Sequence, residues 1–167
     1  DWAAWYKEES RRIQSFLPVN QLYEMHHIGS TSVDGIWAKP IIDILLEIPR
    51  SEDMGSIKRK LLEYGYLLMS ESEGRMTFNK GYTLQGFAER VFHLHLRYYG
   101  DHDELYFRDY LKAHPAVAKD YEQLKLTLWK KYEHNRDAYT GAKTDFIRQY
   151  TQKAQNLYEG RYDDKLA

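Results

Sequence analysis

An α+β fold, with strands gathered in the first hundred residues and helices alone thereafter, is what three features of this 167-residue sequence predict. The first is the near-continuous apolar run Ile41-Ile42-Asp43-Ile44-Leu45-Leu46-Glu47-Ile48, which marks a strand buried on both faces. The second is a set of further strand candidates at 66–70, 75–80 and 91–98. The polar turn Glu71-Ser72-Glu73-Gly74 joins the first two as a hairpin. The third is a change of character after Gly100, beyond which only helical periodicity is found.

In chain order, Trp2, Trp5, Tyr6, Ile13, Phe16 and Leu17 recur at helical spacing with charges between them, and Pro18 ends that amphipathic helix. Residues 22–28 read as a short strand, the Gly29-Ser30-Thr31 turn follows, and 32–35 suit one helical turn. Lys39-Pro40 leads into the strand 41–48, which Pro49 closes. Ser51 opens a second helix with Met54, Ile57, Leu61 and Leu62 on one side and Gly65 as its stop. Past Gly100, one helix covers 103–113, and Pro115 is well placed as the first residue of another that reaches about Tyr132. Thr140 can cap a third helix over 141–158, and 161–167 are expected to fray. No internal repeat, low-complexity tract or long linker divides the chain. The expectation is one domain over 1–167, made of an α/β part (1–100) and a three-helix part (101–167).

Composition removes several classes of function. Lys and Arg number 24 against 25 Asp and Glu, so no overall basic field draws the chain to nucleic acid. The absence of cysteine excludes disulfides, thiolate metal sites and a thiol nucleophile, and fits a cytoplasmic location. No run approaches 18 apolar residues, so no membrane span is expected. The 15 tyrosines and 4 tryptophans fall largely at helical spacing with Leu, Ile and Phe, which reads as core and half-buried edge rather than a stacking platform.

Chemistry concentrates in two places. Gly29-Ser30-Thr31 after a strand can converge backbone N–H groups and hydroxyls on a phosphate oxygen, although such triplets also occur in ordinary turns. Asp43 lies within an apolar strand, where a carboxylate needs a metal or an ion-pair partner such as Lys39 or an arginine. His93-Leu94-His95 places two imidazoles on one strand face about 6.6 Å apart. If strand 91–98 lies beside strand 41–48, Asp43, His93 and His95 form a two-His, one-carboxylate set, which favours Zn, Mn, Fe or Ni over Mg. Of His26-His27, at most one can face the same site. Arg75, Lys80, Lys39 and Lys143 are candidate phosphate contacts.

A Gly-Ser turn followed by a carboxylate-bearing strand resembles the way the nucleotidyltransferase fold presents a triphosphate to a metal. The chain closely resembles the GrpB family of that superfamily through His27-Ile28-Gly29-Ser30-Thr31-Ser32-Val33, Trp37-Ala38-Lys39-Pro40-Ile41-Ile42-Asp43-Ile44 and His93-Leu94-His95. The likeness continues in Phe107-Arg108-Asp109-Tyr110-Leu111, His114-Pro115, Ala138-Tyr139-Thr140 and Ala142-Lys143-Thr144-Asp145-Phe146-Ile147. The resemblance implies a nucleotidyltransferase-like mixed sheet with flanking helices and a C-terminal helical segment. It further implies that Gly29 and Ser30, with Thr31, Lys39 and Lys143, hold a nucleotide or other phosphorylated small molecule, and that Asp43 serves the metal and the reaction. The superfamily's second carboxylate, two residues on, is Leu45 here, and the next acid, Glu47, is roughly 13 Å further along the strand than Asp43. Three functions stay open: metal-dependent nucleotidyl or phosphoryl transfer, a binding module that performs no transfer, and a His-x-His metalloenzyme acting on a non-nucleotide substrate.

Overall fold

Strand alternation and helical stripes are realised in a mixed five-stranded sheet with flanking helices, seen in a computed structural model that describes residues 1–17, 23–131 and 136–163. The strands β1 (Glu24–Ile28), β2 (Ile41–Ile48), β3 (Leu67–Ser72), β4 (Arg75–Thr83) and β5 (Gly86–Tyr98) lie in the order β1-β2-β5-β4-β3. Only β2 and β5 run parallel, and their register sets Asp43 opposite His93 and Leu45 opposite His95. The parallel pair needs a crossover, which α2 (Met54–Glu63) and the β3–β4 hairpin supply.

Helix α1 (Trp2–Phe16) starts where the Asp1 side chain accepts from the amides of Ala3 and Ala4 at 3.1 and 3.4 Å. It buries Ile13 and Phe16 against the even-numbered residues of β2 and β5: Ile42, Ile44, Leu46, Phe92, Leu94 and Leu96. The polar odd-numbered residues therefore share the opposite face of the sheet.

The chain divides into two compact units. One holds residues 1–32 and 39–102 together with the segment from Tyr162 onward. The other holds 33–38 and 103–161, so the segment after the Gly-Ser turn belongs with the helices. That second unit contains α3 (Asp103–Ala113), α4 (Pro115–Lys131) and α5 (Arg136–Leu157), with Val33, Ile36, Leu111, Ala118 and Tyr121 as its core.

Several boundaries differ from expectation for identifiable reasons. The helical turn is Ser30–Ser32 rather than 32–35, because Ser32 folds back by amide and hydroxyl onto the Gly29 carbonyl. Asp53, not Ser51, caps α2 by accepting from the Gly55 amide at 3.0 Å. Strand β5 begins at Gly86 rather than 91, since pairing with β4 carries the ladder past the polar residues Glu89 and Arg90. A bulge at Lys80/Tyr82 lets it pass; Gly81 there has φ +104°, and a Cβ would strike the Arg90 carbonyl. Helix α5 starts at Arg136, so Thr140 is an interior residue and not a cap. Instead of fraying, Tyr162 is buried and its carbonyl accepts the Tyr99 hydroxyl. Pro18, residue 22, Tyr132 and residues 164–167, on which other expectations fell, lie outside the described residues.

Candidate functional site

Parallel pairing of β2 with β5 brings Asp43 to both imidazoles, although one ligand atom from each of the three does not fall within 4.8 Å of the other two. Its Oδ1 lies 3.3 Å from His95 Nε2 and 3.7 Å from His93 Nδ1. Asp43 is not sealed in the core as an apolar strand suggested, and the partners it meets on β5 are the two imidazoles. Its side chain is 26% exposed, because it sits near the start of β2 and on the polar face. His93 and His95 are also partly exposed. On its far side His93 Nε2 meets the Tyr82 hydroxyl at 2.9 Å, with the two rings stacked at 5.9 Å. That contact fixes the ring so that Nδ1 faces Asp43, the kind of outer support that orients a ligating imidazole. Tyr82 was not foreseen, since it is reached only through the β4–β5 hairpin.

Burial pushes the His93 pKa below its ordinary 6.5, outweighing the Asp43 carboxylate, which raises it; His95 lowers it further. The folded state thus keeps this imidazole neutral and able to ligate at neutral pH. The unfolded chain protonates His93 near 6.5 while the folded protein resists, so the unfolded state binds more protons and stability falls as pH drops below that value. Urea midpoints between pH 8 and pH 5 should fall more steeply for the wild type than for His93→Gln. Parallel curves would assign the pH dependence to other groups.

The Gly-Ser turn abuts this set. Gly29 has φ +76°, and a Cβ built there would drive into the Asp43 carboxylate, so only glycine allows the turn and the acid to meet. Ser30 opens the 3-10 turn and is partly exposed. Thr31 is buried; its hydroxyl donates to the Ile41 carbonyl at 3.0 Å and lies 3.0 Å from His27 Nε2. Its side chain therefore ties the turn to β2, while His27 stacks on Tyr6 at 4.9 Å on the other face of the sheet.

Of the basic candidates, Lys39 is exposed and precedes β2 in the same unit. Arg75 instead forms a two-pronged pair with Asp101 at 2.7 and 2.6 Å. Lys80 points to α1 and holds Glu9. Lys143 belongs to the helical unit and, well inside α5, is not beside a helix N-terminus, so the dipole gives it no role toward an anion. Arg108 and Arg161 both pair with Asp109 within that helical unit.

With this geometry in hand, the GrpB family profile, described as GrpB protein, matches residues 1–153. The chain is 33% identical to glutamate-rich protein GrpB of Alkalihalophilus pseudofirmus over 88% of its own length and 87% of that protein's. It is 34% identical to the UPF0157 protein YqkA of Bacillus subtilis over 96% of its own length, but spans only 46% of that relative. A crystal structure of conserved protein GrpB from Enterococcus faecalis superposes with TM-score 0.78 at 31% identity, covering 94% of each chain. A structure of the Cid1 poly(U) polymerase superposes with TM-score 0.52 at 13% identity, over 77% of this chain and 41% of that one, and shares the fold.

Proposed function

The chain belongs to the GrpB family, and from that premise we propose that it binds a nucleotide or another phosphorylated small molecule at the Gly29–Ser30 turn, beside a divalent ion held by Asp43, His93 and His95. The observation that supports this reading is the close approach of the Gly29 turn to the Asp43 carboxylate, so near that a Cβ on residue 29 would strike it; a phosphate on the turn and an ion on Asp43 would then be neighbours. Two imidazoles and one carboxylate favour Zn, Mn, Fe or Ni over Mg. The polymerase that shares the fold was solved with MgGTP, so a nucleoside triphosphate is the natural first probe. A bound ion would neutralise phosphate charge, and nucleotidyl or phosphoryl transfer there would rest on positioning and electrostatics.

Leu45 favours a second reading, a binding module without transfer, because an apolar residue stands where a two-metal site has its second acid. The experiment is a melting scan with ATP, GTP and UTP in the presence of Mn or Zn, with turnover assayed in the same samples. Ligand at about 100 times its dissociation constant should add roughly 2.7 kcal/mol. Gly29→Ala should abolish that gain and cost about 1–2 kcal/mol from its left-handed backbone alone. No shift with any nucleotide and metal would overturn the cradle; a shift without turnover would select the binding module.

A further inference from the structure

A second cluster lies on the same sheet face at the far end of β2. The β1–β2 register places Glu24 directly opposite Glu47, and His26, two residues along β1, points to the same side. Like charges facing each other across strands repel, and although Arg97 stands in register with Glu47 on its other side, a cation between the two glutamates would offset that repulsion. His26 Nε2 lies 3.2 Å from Glu24 Oε2 and 3.7 Å from Glu47 Oε1. One ligand atom from each of the three residues falls within 4.8 Å of the others, which no other set of three His, Cys, Asp or Glu among the described residues achieves.

The decisive atom is on Glu47. Its side chain is wholly buried, with Oε2 accepting from the Gly100 amide at 3.1 Å and facing His102 Nδ1 at 2.8 Å. Oε1 is buried as well and has no hydrogen-bond partner. A proton on His26 does not resolve this, because 3.7 Å is too long for a hydrogen bond from Nε2. A buried carboxylate oxygen that accepts no hydrogen bond and meets His26 at 3.7 Å favours a cation beside it.

We propose that Glu24, His26 and Glu47 form a divalent transition-metal site of the Zn type, separate from Asp43 and independent of the nucleotide reading. Tetrahedral ligands about 2.1 Å from an ion stand roughly 3.4 Å apart, a spacing the observed 3.2 and 3.7 Å straddle. One imidazole nitrogen and two carboxylate oxygens supply three ligands, and water completes the fourth position. Gly100 and His102 hold the Glu47 carboxylate from behind, as outer partners orient metal ligands. Glu24 and His26 are each partly exposed, so an ion has a route from solution. The site pins the edge strand β1 to β2.

Zn equilibrium dialysis at pH 7.5 on Asp43→Asn, which removes the other proposed site, tests this directly. One equivalent of Zn should remain bound and should raise the melting temperature. Adding His26→Gln or Glu24→Gln to that background should weaken binding at least tenfold. Both positions are partly exposed, so these variants are expected to fold where Glu47→Gln could fail, and far-ultraviolet circular dichroism checks that they do. No Zn on Asp43→Asn, or Zn held equally after His26→Gln, would overturn the site. Loss of one of two equivalents on going from wild type to Asp43→Asn would support both sites, whereas one equivalent in each would retain this site and remove the one at Asp43.

Discussion

Lys80→Met is expected to lower stability by about 3 kcal/mol while leaving any phosphate binding unchanged. Lys80 Nζ lies 2.8 and 2.5 Å from the two carboxylate oxygens of Glu9, which is only 5% exposed and also accepts the Tyr66 hydroxyl at 2.5 Å. Burial and the Glu9 charge push the Tyr66 phenol far above its ordinary pKa, so it remains a donor throughout the usable range. Without the ammonium, Glu9 is left as a buried charge with one neutral partner. Breaking a buried pair costs about 3–5 kcal/mol, and the lower end applies because Lys80 is one-fifth exposed. Methionine keeps an apolar stem over the Tyr66 and Phe92 rings, so the loss reports the charge rather than the packing. In a chain of this size the melting temperature should drop by about 6–12 °C. A drop below about 2 °C, together with loss of a nucleotide-induced shift, would return Lys80 to a role in ligand binding.

Lys80 also shows where the sequence stops being informative. Its sign and its position in a strand are visible, but the face it takes depends on where α1 docks, and no local pattern encodes that. The β2 strand was legible over its full length because six apolar residues in a run of eight between prolines admit little else. His93 and His95 were legible as a pair because period-two alternation is local, and their meeting with Asp43 followed once β2 and β5 were paired. Glu24-x-His26 carries the same alternation, yet its significance needs the antiparallel register that brings up Glu47. The start of α5 was misplaced because Thr140-Gly141 resembles a cap and boundary, whereas helix on both sides carries the glycine through.

Leu45→Asp should produce the larger loss, at least about 4 kcal/mol without metal, and its recovery on adding metal bears on whether the site transfers or only binds. Leu45 is completely buried on the polar face, in register with His95 on one side and His26 on the other. Truncating a buried leucine alone costs about 2–5 kcal/mol, and a carboxylate in its place adds the desolvation of a charge. The new acid would stand two residues from Asp43 and share its face, the spacing that lets two carboxylates hold a metal pair. If the backbone around Asp43 keeps that geometry, Mg at 100 times its dissociation constant should restore roughly 2.7 kcal/mol, and nucleotide-dependent turnover becomes the sensitive assay. If Mg restores nothing while Mn or Zn still binds and that binding is lost on adding His93→Ala/His95→Ala, the imidazoles define the site and a second acid has no place in it. Urea unfolding of Leu45→Asp with no metal, Mg and Mn, carried out in a Glu24→Gln/His26→Gln background that removes the neighbouring Glu47 cluster, separates these outcomes, because Mg then offsets the buried charge only through Asp43 and the new acid.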